Sequence, residues 1–218
     1  ECRFWDTKDR PTLGKVVLSR KLRKDRAGLP DRVARFGALD YQQGKLSEGE
    51  LPHWWALIRD VNQAGVFRLV YEGKVLTDED AAEVMARHEV QPTCVVVDSG
   101  HAARHVYQFC LKHGYNAIKG APDSDFSHPR SGRKIFSQEK PLHTMMSLPP
   151  TKNDPTEEPL FWHYSKPGIR ERLKYIRASP DYTWEVPEDV SKDYLEHMEA
   201  EEEQERRHPR TNELIVEW

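Results

Sequence analysis

Apolar and polar positions along this chain fall into blocks that predict a mixed sheet with intervening helices. The run Cys94-Val-Val-Val-Asp98-Ser-Gly100 sets three β-branched residues between polar or turn residues, the mark of a short strand buried on both faces. Asp98 ends the strand, and Ser99 and Gly100 release the chain. Val106, Phe109, Cys110 and His113 then recur at helical spacing up to Gly114, a natural helix stop. Asp98 is therefore expected at the carboxyl tip of a central strand, the edge where open α/β sheets bind ligands. The alternative is that it caps the following helix.

Upstream, Arg35 to Tyr41 reads as a first strand carrying Asp40 among apolar neighbours, and His53 to Val61 as a second. Val66 to Val75 is a third, after the tight connection Asn62-Gln-Ala-Gly65. Thr77 is placed to cap a helix running to about His88, with Glu79 and Asp80 in its first turn. Tyr115 to Gly120 reads as a fifth strand after the helix that follows Asp98. The order β-β-β-α-β-α-β and the right-handed crossover rule favour a three-strand antiparallel meander plus two parallel strands. The first strand is then central, Asp40 and Asp98 project from neighbouring strands, and the layout is that of a ribonuclease H-like α/β core flanked by helices.

The pattern dissolves from Ala121 to Pro150, where Asp123, Asp125 and a basic cluster of Arg130, Arg133, Lys134 and Lys140 alternate with Pro, Ser and Gly. It resumes as a strand over Leu160–Tyr164 and a basic helix from Pro167, with Arg170, Arg172, Lys174 and Arg177 on its polar side. Trp184 to Val186 predicts a short strand, Val190 to Arg207 a solvated Glu-rich helix, and Glu213 to Trp218 a last strand. At the other end, residues 1–30 read as a basic lead-in with a helix over Leu13–Leu22, closed by Gly28-Leu-Pro30. The expected division is therefore a linker over 1–30, the tail of an upstream domain, and one domain over 31–218. The chain is read as a piece of a longer protein.

Composition sharpens this only at the margins. Charged residues make up 32% of the 218 positions, and the formal net charge of −3 leaves nucleic-acid binding to local basic faces. The scattered cysteines Cys2, Cys94 and Cys110 contain no CxxC pair and read as small reduced hydrophobes. Neither a secretory leader nor an apolar run long enough to span a membrane is seen, so no membrane partner and no secretion are expected.

The chemistry turns on carboxylates. Two of them at neighbouring strand tips are hard oxygen donors of the kind Mg²⁺ or Mn²⁺ prefers. A pair of such ions serves phosphodiester hydrolysis by activating water and stabilising the leaving oxygen. Glu72, Asp123 and Asp125 are candidates for a third acid. Lys119 ends a strand beside the expected site and is a candidate for a phosphate contact. His101 and His105 stand four apart, a spacing that suits zinc on a helix face but has no third ligand at a matching interval. Trp54 and Trp55 read as core and surface packing. There is no G-x-x-x-x-G-K-S/T phosphate loop and no G-x-S-x-G elbow.

Several of these segments together resemble the large terminase subunit of tailed bacteriophages, lambda-like family. Gly28-Leu-Pro30 and Gly37-Ala-Leu-Asp40-Tyr-Gln42 are similar to its "vP … gvDvQ" course, with Tyr in place of Val after the acid. Val95-Val-Val-Asp98-Ser-Gly100, Val106-Tyr-Gln-Phe-Cys110 and Ala117-Ile-Lys-Gly120 follow "vDsG … vyxFC … aiKG". Trp184-Glu-Val-Pro187 and Asp193-Tyr-Leu195 follow "w.vP … dYl", so the likeness covers residues 28–218. It implies a ribonuclease H-like endonuclease domain that cuts concatemeric double-stranded DNA in the host cytoplasm with two Mg²⁺ or Mn²⁺ ions. Asp40 and Asp98 match two of the family's metal-binding acids, and its third lies beyond a strand like Leu214–Trp218. Implied partners are double-stranded DNA, an upstream packaging ATPase domain, the small terminase subunit and the portal protein. On this reading Lys119, Arg130, Arg133, Lys134, Arg170 and Lys174 grip phosphates. The competing expectations are a non-catalytic DNA-binding or assembly module and another ribonuclease H-like nuclease such as a junction resolvase.

Overall fold

The computed structural model describes residues 21–44, 49–121, 143–147, 160–199, 204–207 and 214–217. Three long strands come first in the domain's centre: β2 (Arg32–Gln42), β3 (His53–Asn62) and β4 (Val66–Val75), preceded by the short β1 (Lys21–Arg23). Helix α1 (Asp78–Arg87) leads to β5 (Val95–Asp98), and α2 (Ala103–His113) leads to β6 (Asn116–Ala121). Beyond these lie β7 (His143–Ser147), β8 (Leu160–Ser165), α3 (Lys166–Ala178), β9 (Thr183–Pro187), α4 (Lys192–Glu199), β10 (Gln204–Arg207) and β11 (Leu214–Glu217).

Nine strands form one mixed sheet in the order β1-β9-β4-β3-β2-β5-β6-β8-β7, and β10 pairs with β11 as a separate hairpin. Strands β2, β3 and β4 are the expected antiparallel meander. Strands β5, β6 and β8 continue from β2 in parallel, each after its neighbour. The five strands β2 to β6 thus lie in the order third, second, first, fourth, fifth, as the crossover rule allowed. The protein is an α/β molecule built on a mixed sheet flanked by helices.

Alternation along the strands divides the two faces of the sheet. Leu39, Trp54, Ala56, Ile58, Val95, Val97 and Ala117 point to one face and pack with Val84 and Met85 of α1 and Val106 and Phe109 of α2. Gly37 admits this close packing, because a Cβ there would come within 2.4 Å of the Met85 Sδ. The other face carries a smaller cluster of Leu69, Trp184, Val186 and Tyr194, joined by Leu57 and by Leu173 and Ile176 of α3. Arg59 is buried in this second cluster, its guanidinium 3.7 Å from the centre of the Trp184 ring and bonded to the Tyr194 hydroxyl. Burial holds the Arg59 pKa below its ordinary value.

Two stretches depart from the sequence expectations. Lys21 and Leu22, at the end of the expected helix, are strand. Strand β1 pairs in parallel with β9, Lys21 and Arg68 hydrogen-bond the buried Glu185, and Asp60 accepts from the Leu29 amide at 2.8 Å. Lys21 and Arg23 pair with the buried Glu185, and Arg26 with Glu72, so residues 21–30 are tied to the sheet. The rest of the expected helix over Leu13–Leu22 lies outside the described residues. Among the described residues the Glu-rich segment is helical over Lys192–Glu199, begun by Ser191, whose Oγ accepts from the Tyr194 amide at 3.1 Å. Gln204–Arg207 instead pairs with Leu214–Glu217, because the apolar run there offers a strand partner that helix periodicity does not register.

Candidate functional site

Strands β2 and β5 lie side by side and run parallel, with Asp40 opposite Asp98 in register. Both acids therefore stand at the carboxyl ends of adjacent parallel strands. Alternation places both on the α3 face, since their neighbours Leu39 and Val97 are buried in the opposite core. One row across this face reads Lys74, Trp55, Asp40, Asp98, Ile118 and Trp162.

Local bonding orients both carboxylates. The Gln42 amide donates to Asp40 Oδ2 at 2.7 Å from the next residue on the same strand face. Asp98 does not cap α2. The helix begins after Ala102, a residue in the left-handed region at φ 48° with no side-chain cap. The chain after Asp98 is instead pinned by Ser99, which donates to the Ile118 carbonyl from its amide at 2.9 Å and from its hydroxyl at 2.8 Å. The buried Tyr107 hydroxyl donates in turn to Ser99 Oγ at 3.2 Å. Burial pushes the Tyr107 phenol above its ordinary pKa, and the Asp98 charge adds to the rise against the Ser99 hydrogen bond. Gly100 keeps the carboxylate's approach open, because a Cβ there would lie 3.1 Å from Asp98 Oδ2.

This donor set suits a hard divalent cation: two carboxylates on adjacent strands, backed by an amide and a pinned turn, with no sulfur or imidazole among them. Among the described residues no group of three His, Cys, Asp or Glu side chains gathers around a common point. Glu72 lies on the same face but on β4, two strands from Asp40, where it accepts from the Ser191 amide and hydroxyl and from Arg26. Its oxygens are committed to holding α4 and the lead-in segment. Asp123 and Asp125 lie outside the described residues.

The other candidates separate. Lys119 alternates with Ile118 and stands on the α2 face between the buried Ala117 and Ala121, opposite His163 and away from the acids. The period of 2 along β6 turns its side chain from the face its sequence position suggested. Arg170 and Lys174 belong to α3, which crosses the acid face, and Arg170 shares its inward stripe with Leu173 and Arg177. Arg130, Arg133 and Lys134 lie outside the described residues.

His101 and His105 do not share a helix face, since α2 starts at Ala103. His105 instead meets Asp78 at 3.1 Å and packs on Tyr41, with ring centres 4.6 Å apart. The Trp54 indole donates to the same Asp78 oxygen at 2.9 Å, so Trp54 is core, as expected. Cys110 is equally committed to packing, its thiol pushed up to about 12 by burial.

Reading the sequence missed Lys166. A Cβ built on Gly120 would come within 2.5 Å of Lys166 Cε and 2.6 Å of its Cγ, so the lysine chain lies across Gly120. Gly120 alternates with the buried Ala121 and shares the Ile118 face, which puts Lys166 on the side of the sheet that carries Asp40 and Asp98. The signal available was the absent side chain at Gly120, which sequence alone does not connect to a residue 46 positions later.

The site is thus defined as a pair of in-register acids at the carboxyl edge of a mixed α/β sheet. No protein-family model matches the chain, and neither the curated proteins nor the solved structures compared with it give a match.

Proposed function

We propose that this chain is a ribonuclease H-like, metal-dependent DNA endonuclease domain, of the kind that trims concatemeric double-stranded DNA in a viral packaging terminase. The observation that carries the reading is the register pairing of Asp40 with Asp98 on adjacent parallel strands, within strands ordered third, second, first, fourth, fifth. The sequence resemblance to terminase large subunits supports it independently, and both of its matching acids fall in this pair.

In this reading Asp40 and Asp98 are the residues that would hold the cations. Bound there, a pair of Mg²⁺ or Mn²⁺ ions supplies water activation and charge neutralisation at the leaving oxygen. The protein's part is orientation. Gln42 fixes one Asp40 oxygen, Ser99 and Tyr107 hold the turn that aims Asp98, and Gly100 leaves room for a substrate beside it. Arg170 and Lys174 on α3, with Arg130, Arg133 and Lys134, offer phosphate contacts that grip duplex DNA without reading bases. The upstream packaging ATPase, the small terminase subunit and the portal are the partners this role requires.

The test is nicking of supercoiled plasmid with Mn²⁺, with Mg²⁺ and with EDTA. Metal-dependent nicking is expected, with a loss of at least about 100-fold in Asp40→Asn and in Asp98→Asn while the circular dichroism spectrum is unchanged. Nicking that survives in both variants would remove the reading. Metal-independent DNA binding without cleavage would favour an assembly module, and preference for branched over linear duplex a junction resolvase.

A further inference from the structure

Among the described residues no hydrogen bond or ion pair engages the Lys166 ammonium, and the residue is exposed. Its position is nevertheless built. The alkyl chain is laid against the one residue of β6 on that face that has no side chain, Gly120, at separations that a Cβ would convert into overlap. Gly120 stands two residues beyond Ile118, the partner of Asp98. With strands about 4.8 Å apart and about 3.3 Å of rise per residue, Gly120 and Asp98 are separated by about 8 Å between Cα atoms. The Lys166 alkyl chain over Gly120 on β6 and Asp98 on the neighbouring β5 thus lie on one face of the sheet.

Lys166 is also costly where it stands. It is the first residue of α3, whose first turn contains no acidic residue, so its charge opposes the helix macrodipole. Ser165 begins the helix by accepting from the Gly168 amide at 3.2 Å, and nothing in that cap requires a lysine. A residue that breaks a local rule without a structural return marks function.

We infer that Lys166, seated across Gly120, binds a phosphate oxygen of the nucleic-acid backbone beside the Asp40–Asp98 pair and so places the scissile phosphodiester. The inference rests on the endonuclease reading above and names the cation of that site, in the place where the sequence pointed to Lys119. Lys166 is a substrate-binding residue: it supplies one positive charge to the phosphate and takes no part in proton transfer. Gly120 is the seat that lets its chain cross the strand.

The experiment compares wild type with Lys166→Gln, Lys166→Arg, Gly120→Ala and Lys119→Gln in three readouts. These are Mn²⁺ binding without DNA, duplex affinity by fluorescence anisotropy with Ca²⁺ across a salt series, and nicking kinetics. Lys166→Gln is expected to keep Mn²⁺ binding, to weaken duplex binding about tenfold and to lower the salt slope by about 0.9. Its KM is expected to rise while kcat changes little, as removal of a substrate contact requires. Lys166→Arg retains most of the affinity, Gly120→Ala shifts in the direction of Lys166→Gln, and Lys119→Gln stays near wild type. Unchanged affinity, salt slope and KM in Lys166→Gln, with wild-type nicking present, overturn the Lys166 assignment alone. Failure of the wild type to bind Mn²⁺ and to nick overturns the endonuclease reading itself.

Discussion

Asp60 shows how single residues set the frame around the acid pair. It is fully buried on β3, accepts from Arg35 Nε at 2.6 Å and Nη2 at 2.8 Å, and takes the Leu29 amide at 2.8 Å. The Arg35 pKa is raised by this hydrogen bond and by the Asp60 charge, against the cost of burial. Asp60→Ala removes the acceptor of the Leu29 amide and two hydrogen bonds of the Arg35 guanidinium, which keeps its bond to the His88 carbonyl at 2.7 Å. We expect a loss of about 3–5 kcal/mol in urea denaturation, the scale of a broken buried ion pair. A loss below about 1 kcal/mol would show that the lead-in segment is not anchored through this carboxylate. Residue-scale chemistry was the least legible from sequence. Asp40 and Asp98 stood out because each ends or punctuates an apolar run. Asp60, inside a run, gave no sign of its two partners, and Lys166 gave none of its seat on Gly120.

At the scale of elements the sequence was far more explicit. The β-branched run before Asp98, the Thr77 cap and the Gly114 stop each put a boundary close to where the structure has it: Thr77 accepts from the Asp80 amide, and Gly114 is left-handed at φ 70°. These signals are local, decided by the residue's own backbone preference. Pairing is not local, and that is where the reading went astray. Lys21–Arg23 became an edge strand because β9 and the buried Glu185 were available to it, and Gln204–Arg207 left the helix pattern because Leu214–Glu217 was available. Helix α2 likewise began later than the His101/His105 spacing suggested, since Ala102 in the left-handed region sets the chain's direction after Gly100. The strand order succeeded because short connections and crossover handedness leave few alternatives for a meander followed by two helical crossovers.

Over the whole molecule, the groups that titrate on the acid side of neutral tie the fold to pH in one direction. Burial raises the Glu185 pKa, but hydrogen bonds from Arg68 and Lys21 outweigh it and hold the carboxyl below its ordinary 4.5. Its stabilisation is present above that value and lost as pH falls through the folded one. His88, His113 and His163 are each held below 6.5, first by burial and then by neighbouring cations. The unfolded chain therefore takes up these protons first, and stability falls as pH drops below 6.5. A urea series from neutral to acid pH should show a midpoint that declines below 6.5 and declines again below 4.5. A midpoint that stays level or rises over that range would mean that these groups are as well solvated in the fold as in the unfolded chain.

The central claim is that two carboxylates brought together by strand register act as one cation site. Titration of the chain with Mn²⁺, followed by the loss of the free-ion electron paramagnetic resonance signal, tests it without relying on cleavage. Saturable binding is expected in the wild type, weakened about tenfold or more in Asp40→Asn and again in Asp98→Asn, with the double variant no worse than the weaker single one. Binding that is absent in the wild type, or unchanged when either acid is replaced, would contradict the account.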